Sequence, residues 1–194
     1  MSSSDGSGTR GPYAKGVQRR KEILDRTLDV VASKGIDGTS LRAIGEAIGV
    51  SHAALRHYFD SREALLLEVL RERDAESTRR LDGVDGVLNR MAGAADHNVS
   101  VPGLVTMYTT LLATSVEPGN ETSRAFFAER FEIARADLAG QLRDELQASG
   151  RHSDADLDQV ASLIIAAFDG LQVQWLLDRS VDIAGTLRLL ERVL

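Results

Sequence analysis

From Val17 onward, apolar residues recur at steps of three and four, the period of a helix laid on a core, and no stretch alternates as a half-buried strand would. Ile23, Leu24, Leu28 and Val31 form such a stripe over about 18–33, and the Gly-containing "KGIDGT" breaks it. Thr39 or Ser40 can cap a second helix that buries Leu41, Ile44 and Ile48 and stops at Gly49. Ser51 can cap a short third helix with Leu55 and Phe59 turned inward. Asp60 and Glu63 then stand at capping-box spacing before a fourth helix, which reaches about Arg80 through Leu65, Leu66, Val69 and Leu70.

The pattern predicts one helix near 84–95 and one over about 103–116, with Pro102 in its first turn. Phe127, Phe131, Ala134, Leu138, Leu142 and Leu146 predict a long amphipathic helix over 121–148. Ser153 and Asp156 open another over about 154–178, carrying Val160, Ile164, Phe168, Leu171 and Trp175, and a last helix covers about 181–193. The expected fold class is all-α, about nine helices without an internal repeat. A three-helix N-terminal head is joined by helix four to a C-terminal helical bundle. Residues 1–17, rich in Ser and Gly, are expected to be a flexible basic arm. Gly6, Gly8 and Gly11 share the spacing of a dinucleotide fingerprint, but no strand precedes them.

Composition narrows the chemistry. The 194 residues include no Cys, which excludes disulfides, thiolate zinc sites and Cys nucleophiles. The polar N-terminus and the shortness of the longest apolar run, "LIIAAF", predict a soluble, cytoplasmic protein without a membrane partner. His52 and His57 are five apart, not the four that would align them on one metal, and "SDADLDQ" lacks the Gly and Glu of a calcium loop. No nucleophile elbow accompanies the Ser, His and Asp residues. No catalytic residue, metal or cofactor is expected, and the chain is not expected to be an enzyme.

Charge adds a direction. The formal net charge is −6, yet residues 1–62 hold 10 Lys and Arg against 7 Asp and Glu, while the remainder holds 13 against 22. A basic N-terminal third on an acidic body suits one end that meets a polyanion. Within that third, Gly49 and Val50 make a tight turn between helices two and three, the sequence form of a helix-turn-helix. Ser51, His52, Ala53 and Ala54 would occupy the first turn of the outer helix, with Arg56 and His57 a turn later. Short residues let the backbone approach bases, and the cationic or polar ones reach bases or phosphates. Arg42 leads from the preceding helix and Arg62 stands by a helix N-terminus.

"TSLRAIGEAIGVSHAALRHYFDSREALL" resembles the DNA-binding signature of TetR-family transcriptional regulators, through Thr39, Ile44, Gly49, Val50, Ser51, Leu55, Phe59, Ser61 and Leu65. It departs from that signature at Arg56, where Tyr is usual, at Tyr58 for His, at Arg62 for Lys and at Gly45 for Ala. The similarity covers residues 18–70; beyond them only helix number and order agree. The resemblance implies a homodimer that reads a palindrome-like operator in double-stranded DNA, with an unknown small-molecule effector bound in the C-terminal body. The chain is expected to be a ligand-responsive repressor, associated with the nucleoid when bound to DNA.

The expected division is 1–17 arm, 18–62 helix-turn-helix domain and 63–194 effector-binding and dimerisation domain. Arg42, His52 and Ala53 are assigned to base edges, and Thr39, Ser40, Ser51, Arg56, His57 and Arg62 to phosphates. Lys15, Arg19 and Arg20 of the N-terminal segment are candidates for further contacts. Met107, Tyr108, Leu111, Phe127, Phe131, Phe168, Gln172 and Trp175 are candidates for a ligand cavity, with ordinary bundle core as the competing reading. Ile164, Phe168, Leu171, Ala184, Leu187 and Leu190 are expected at the dimer interface. The alternatives are an all-α ligand-binding protein or enzyme that retains the scaffold without regulating DNA, and a module that turns the same head toward a protein.

Overall fold

α1 (Pro12–Lys34) opens on a proline, whose missing N–H would have no partner in a first turn, and buries Ile23, Leu24, Leu28 and Val31 on one face. The structure is a computed structural model and describes residues 12–36, 38–151 and 155–190. The helix therefore takes in residues 12–17, expected to be arm; residues 1–11 of that arm lie outside the described residues. α2 (Leu41–Ile48), α3 (His52–Tyr58) and α4 (Arg62–Leu81) each start behind a serine. The hydroxyls of Ser40, Ser51 and Ser61 accept the N–H of Ala43, Ala54 and Ala64 at 3.0–3.1 Å, satisfying donors that a first turn leaves free. Gly49 ends α2 at φ 72°, a left-handed conformation that costs glycine little, and the chain turns directly into α3.

The cap of α4 is thus Ser61, not the expected pair of Asp60 and Glu63. Glu63 faces the body instead, where its Oε1 accepts both the N–H and the hydroxyl of Ser123. Ser123 lies in the first turn of α7 (Glu121–Ala148), so a carboxylate of α4 sits on the positive end of another helix. α5 (Val87–Ser100) and α6 (Leu104–Ser115) precede α7, and α8 (Leu157–Leu177) and α9 (Ile183–Leu189) follow it. α5 is displaced along the chain from the expected 84–95. α6 begins behind Gly103 (φ 80°), where a Cβ would lie 2.9 Å from the backbone nitrogen of Ala32. α8 is capped by Asp156, whose carboxylate accepts the N–H groups of Asp158 and Gln159. The expected cap Ser153 and the expected end of α9 at 193 lie outside the described residues.

One apolar core runs through α1, α2, α3, α4, α6 and α7, from Ile23 and Ile44 to Met107 and Phe127, without a break at residue 62. Two smaller cores lie where α5, α7 and α8 meet and where α5, α8 and α9 meet. α4 is therefore packed on both sides, and its charged residues divide the same way. Glu68, Glu72 and Arg73 pair with Arg20, Lys21 and Asp25 of α1, whereas Asp74 pairs with Arg130 of α7. By length and composition α8 is apolar enough to cross a membrane, a test that helices of soluble proteins also pass, although its longest unbroken apolar run is short. One side of α8 packs on α7 and α9, and the other is exposed.

Candidate nucleic-acid interface and internal cavity

The head holds α3 by its inner side. Leu55 is fully enclosed against α2, Ile44 is equally buried beneath it, and Arg26 of α1 donates to the Ile48 carbonyl at 2.8 Å, fixing the end of α2. Gly45 lets the two helices close up, since a Cβ there would stand 2.5 Å from the Val50 carbonyl oxygen. With that side spent on packing, His52, Ala53, Arg56 and His57 are exposed on α3, and Ala54 is half-buried. Ser40 and Ser51 are exposed cap residues. Arg42 is 80% exposed at its side chain, its Nε donating to Glu46 one turn on at 2.9 Å. A pair this open is worth little, so Arg42 can exchange it for a better acceptor.

Two of the residues assigned to phosphate are held by the protein itself. Thr39 is 1% exposed and its hydroxyl donates to the Ile36 carbonyl at 2.6 Å. Arg62 is half-buried and also donates to that carbonyl, tying the start of α4 to the turn after α1. Their pattern positions suit structural ties as well as phosphate contacts, and only packing distinguishes the two. Arg19 and Arg20 are engaged likewise, Arg19 with Glu22 at 2.6 Å and Arg20 with Glu68 and the Phe59 ring. Tyr58 is half-buried and edge-on to His57.

A cavity of about 180 Å³ lies between α4, α5, α6, α7 and α8. Of the candidate ligand residues it is lined by Tyr108, Phe168 and Gln172. Met107, Leu111 and Phe127 instead fill the core shared with the head, and Phe131 packs against it. Trp175 lies in the core of α5, α8 and α9, with the Arg179 guanidinium 3.6 Å from its ring centroid. An outer groove of about 850 Å³ shares Asp74, Met91, Arg130, Ala134 and Leu138 with the cavity, so one wall separates the two.

Polar groups join across this space. Tyr108 Oη donates to both oxygens of Asp169 at 3.0 and 3.1 Å, and Gln172, 2% exposed, takes a bond from Asn98 at 3.2 Å and gives one to Asp169 at 3.5 Å. Arg130 forks onto Asp74 at 2.8 and 2.9 Å and reaches Tyr108 Oη at 3.4 Å. Burial raises the Asp169 carboxyl above the usual aspartate range, against the opposing effects of the Tyr108 bond and the Arg130 charge. Burial also lifts the Tyr108 hydroxyl and keeps it a donor. Asp169, Arg130, Arg73 and Asp74 were missed in the sequence, although one acidic residue inside "LIIAAFDGLQVQWLL" is a visible signal for Asp169.

The residues expected at a dimer interface pack wholly or in part within the subunit. Ile164, Ala184 and Leu187 are buried within the subunit, and Phe168, Leu171 and Leu190 pack half-buried against α5 and α9. The exposed stripe of α8 is Leu163, Ala166, Gly170, Val173 and Leu177, with Leu163 66% and Leu177 87% exposed. Both sets repeat every three or four residues, so periodicity alone could not tell the inner face from the outer.

Comparison with known proteins agrees with this architecture at both ends. Residues 23–69 match the model of bacterial regulatory proteins of the tetR family, and residues 118–194 match that of the BetI-type transcriptional repressor C-terminal domain. An HTH-type transcriptional repressor of Mycobacterium tuberculosis is 29% identical over 156 residues, covering 79% of this chain and 80% of the relative. A TetR-family regulator from a Rhodococcus species superposes with a TM-score of 0.72 at 23% identity, over 88% of this chain and 95% of that one. A transcriptional regulator from Saccharomonospora viridis, solved in complex with choline, gives 0.68 at 21% identity over 91% and 95%. With the capped helix-turn-helix at its head and helical body behind it, the chain belongs to the TetR family of DNA-binding transcriptional regulators.

Proposed function

We propose that the protein is a homodimeric repressor that binds a palindrome-like operator through α3 and releases it when a small molecule enters the cavity. The carrying observation is the division of α3 into a buried side, Leu55, and an open side, His52, Ala53, Arg56 and His57. A protruding helix with short residues first and Arg56 and His57 a turn later suits the major groove. Arg42, His52 and Ala53 read base edges, while Ser40, Ser51, Arg56 and His57 contact phosphates. Residues 18–62 form the reading head, and residues 63–194 bind the effector and pair the subunits. The protein acts in the cytoplasm on nucleoid DNA.

The coupling route is supported by two neighbours on α4. Arg73 and Asp74 both line the cavity, yet Arg73 is bonded to Asp25 of the head and Asp74 to Arg130 of the body. An occupant that displaces either side chain alters how α1 and α7 hold α4. The choline complex of the Saccharomonospora viridis regulator supports a small-molecule effector on this scaffold. The exposed apolar stripe of α8 supports pairing with its symmetry mate, which would bury Leu163, Val173 and Leu177.

Selection of random duplex DNA by the pure protein tests the reading. A two-fold symmetric consensus, with affinity that falls steeply with salt, is the expected result. Failure to enrich any sequence would overturn it.

A further inference from the structure

The outer groove of about 850 Å³ runs between the second half of α4, the turn at 82–86, α5 and α7. Its lining is apolar at Leu81, Val84, Met91, Phe126 and Leu138, and Ile133 joins them while remaining 54% exposed. On α7, Glu129, Ile133 and Asp137 follow one another at steps of four. One row of that helix therefore sets an apolar side chain between two carboxylates whose backbone positions are ~12 Å apart. Asp82 and Asp85 add two more carboxylates from the turn. The charges are unequal. Each of the three guanidiniums lining the groove already has a carboxylate, Arg71 with Glu68, Arg90 with Glu145 and Arg130 with Asp74. Asp82, Asp85, Glu129 and Asp137 are exposed and form no ion pair among the described residues. An apolar floor with an acidic rim suits a partner of the opposite charge, and it disfavours nucleic acid, phosphorylated peptides and anionic membrane.

We propose that this groove docks a basic amphipathic helix of a protein partner, its apolar stripe on Leu81, Met91 and Ile133 and its flanking Lys or Arg side chains on the free carboxylates. The volume is that of about two turns of helix, roughly 10 Å across and 11 Å long. Cations eight positions apart on such a helix meet Glu129 and Asp137 together. Four carboxylates spread over both sides of the groove favour an extended partner with several charges over a single small ion. The exposed stripe of α8 does not line the groove, so docking leaves that face free for pairing of subunits. A helix laid here touches Arg130 and Asp74 in the wall shared with the cavity, and so reaches the tie between α4 and α7. The effect of that contact on DNA rests on the repressor reading; the docking itself does not.

The test is calorimetric titration of the full-length protein, without DNA, with three blocked peptides of about fourteen residues, long enough to hold a helix once bound. The first carries Leu at steps of three and four between flanks of Lys. The second has the same residues scrambled, and the third keeps the Leu stripe with Glu in place of Lys. The first is expected to bind at least tenfold more tightly than the second, with an affinity that falls as salt is added, and the third is expected not to bind. Glu129→Gln combined with Asp137→Asn should weaken the first peptide at least tenfold, and Ile133→Ser at least fivefold. Glu132→Gln, which removes an exposed carboxylate of α7 outside the groove, should leave its affinity within twofold. All these positions are exposed, so the variants keep the fold, and thermal melts check it. Equal binding of the first two peptides would reveal a diffuse polyanion, and displacement by equimolar spermidine a site for small polycations. Self-association lost in Ile133→Ser would make the groove a face between copies of this chain. Each of these outcomes would overturn the proposal, as would undiminished affinity in the double variant or no binding by the first peptide.

Discussion

Arg42 and Arg56 are both exposed arginines of the head, and their removal should have different effects. Arg42→Ala is expected to weaken operator binding roughly ten- to hundredfold and to relax preference at one base position, as loss of a forked base contact does. Arg56→Ala should weaken all sequences alike and reduce the slope of affinity against salt by about one counterion. Binding curves on operator and scrambled DNA over a salt series separate the two. Asp169 is open to a pH test. Its folded-state pKa is raised above its unfolded value near 3.8, so the folded form holds the proton more tightly. Stability should therefore be greatest while Asp169 is protonated and fall as pH rises from that value through the higher folded one. Thermal melts of Asp169→Asn should lack this component and give a higher Tm than the unaltered protein at pH 7.

At the scale of elements, the junction of α2 and α3 carries a conflict between local and tertiary preference. Alanine at position 45 would gain about 1 kcal/mol of helix propensity over glycine. Its Cβ, however, would meet a backbone oxygen at 2.5 Å, and overpacking of this kind costs about 1–3 kcal/mol. Gly45→Ala should therefore lower stability by up to about 2 kcal/mol, or move α3 outward and weaken operator binding; denaturant unfolding and DNA titration together check this. Helix existence was legible in the sequence because burial imposes a period of 3.6, and the 121–148 prediction coincides with α7. Caps were less legible. Asp60–Glu63 and Ser153–Asp156 both offered capping groups, but Glu63 had a better partner in Ser123, sixty positions away in the chain.

For the whole molecule, the outer stripe of α8 and the inner ties of α4 carry the remaining predictions. If the proposed homodimer pairs through this stripe, Leu163→Glu or Val173→Glu should weaken self-association by at least about a hundredfold, since a two-fold axis would set each charge into the interface twice. Sedimentation at micromolar concentration reads this directly, and operator affinity should fall with it. Arg73→Gln removes the tie to Asp25 while Lys21 still faces that carboxylate at 3.7 Å. This variant should bind operator but respond to effector less than threefold. A response as large as that of the unaltered protein would place the coupling elsewhere.

The amino-acid pattern by itself determined the all-α class, the turn at Gly49, the serine before α3 and the polar and basic positions behind it, because each depends on residues within one or two helical turns. Tertiary structure decided which of several equivalent periodic faces turned inward. It buried Thr39 and half-buried Arg62, faced Ile164 and Leu187 into the subunit and left Leu163 and Leu177 open. It also set Asp169 of α8 beside Tyr108 of α6 and, through that hydroxyl, near Arg130 of α7. Such meetings depend on the relative rotation of helices distant in the chain, and a helical period fixes spacing along a helix but not its rotation against a neighbour.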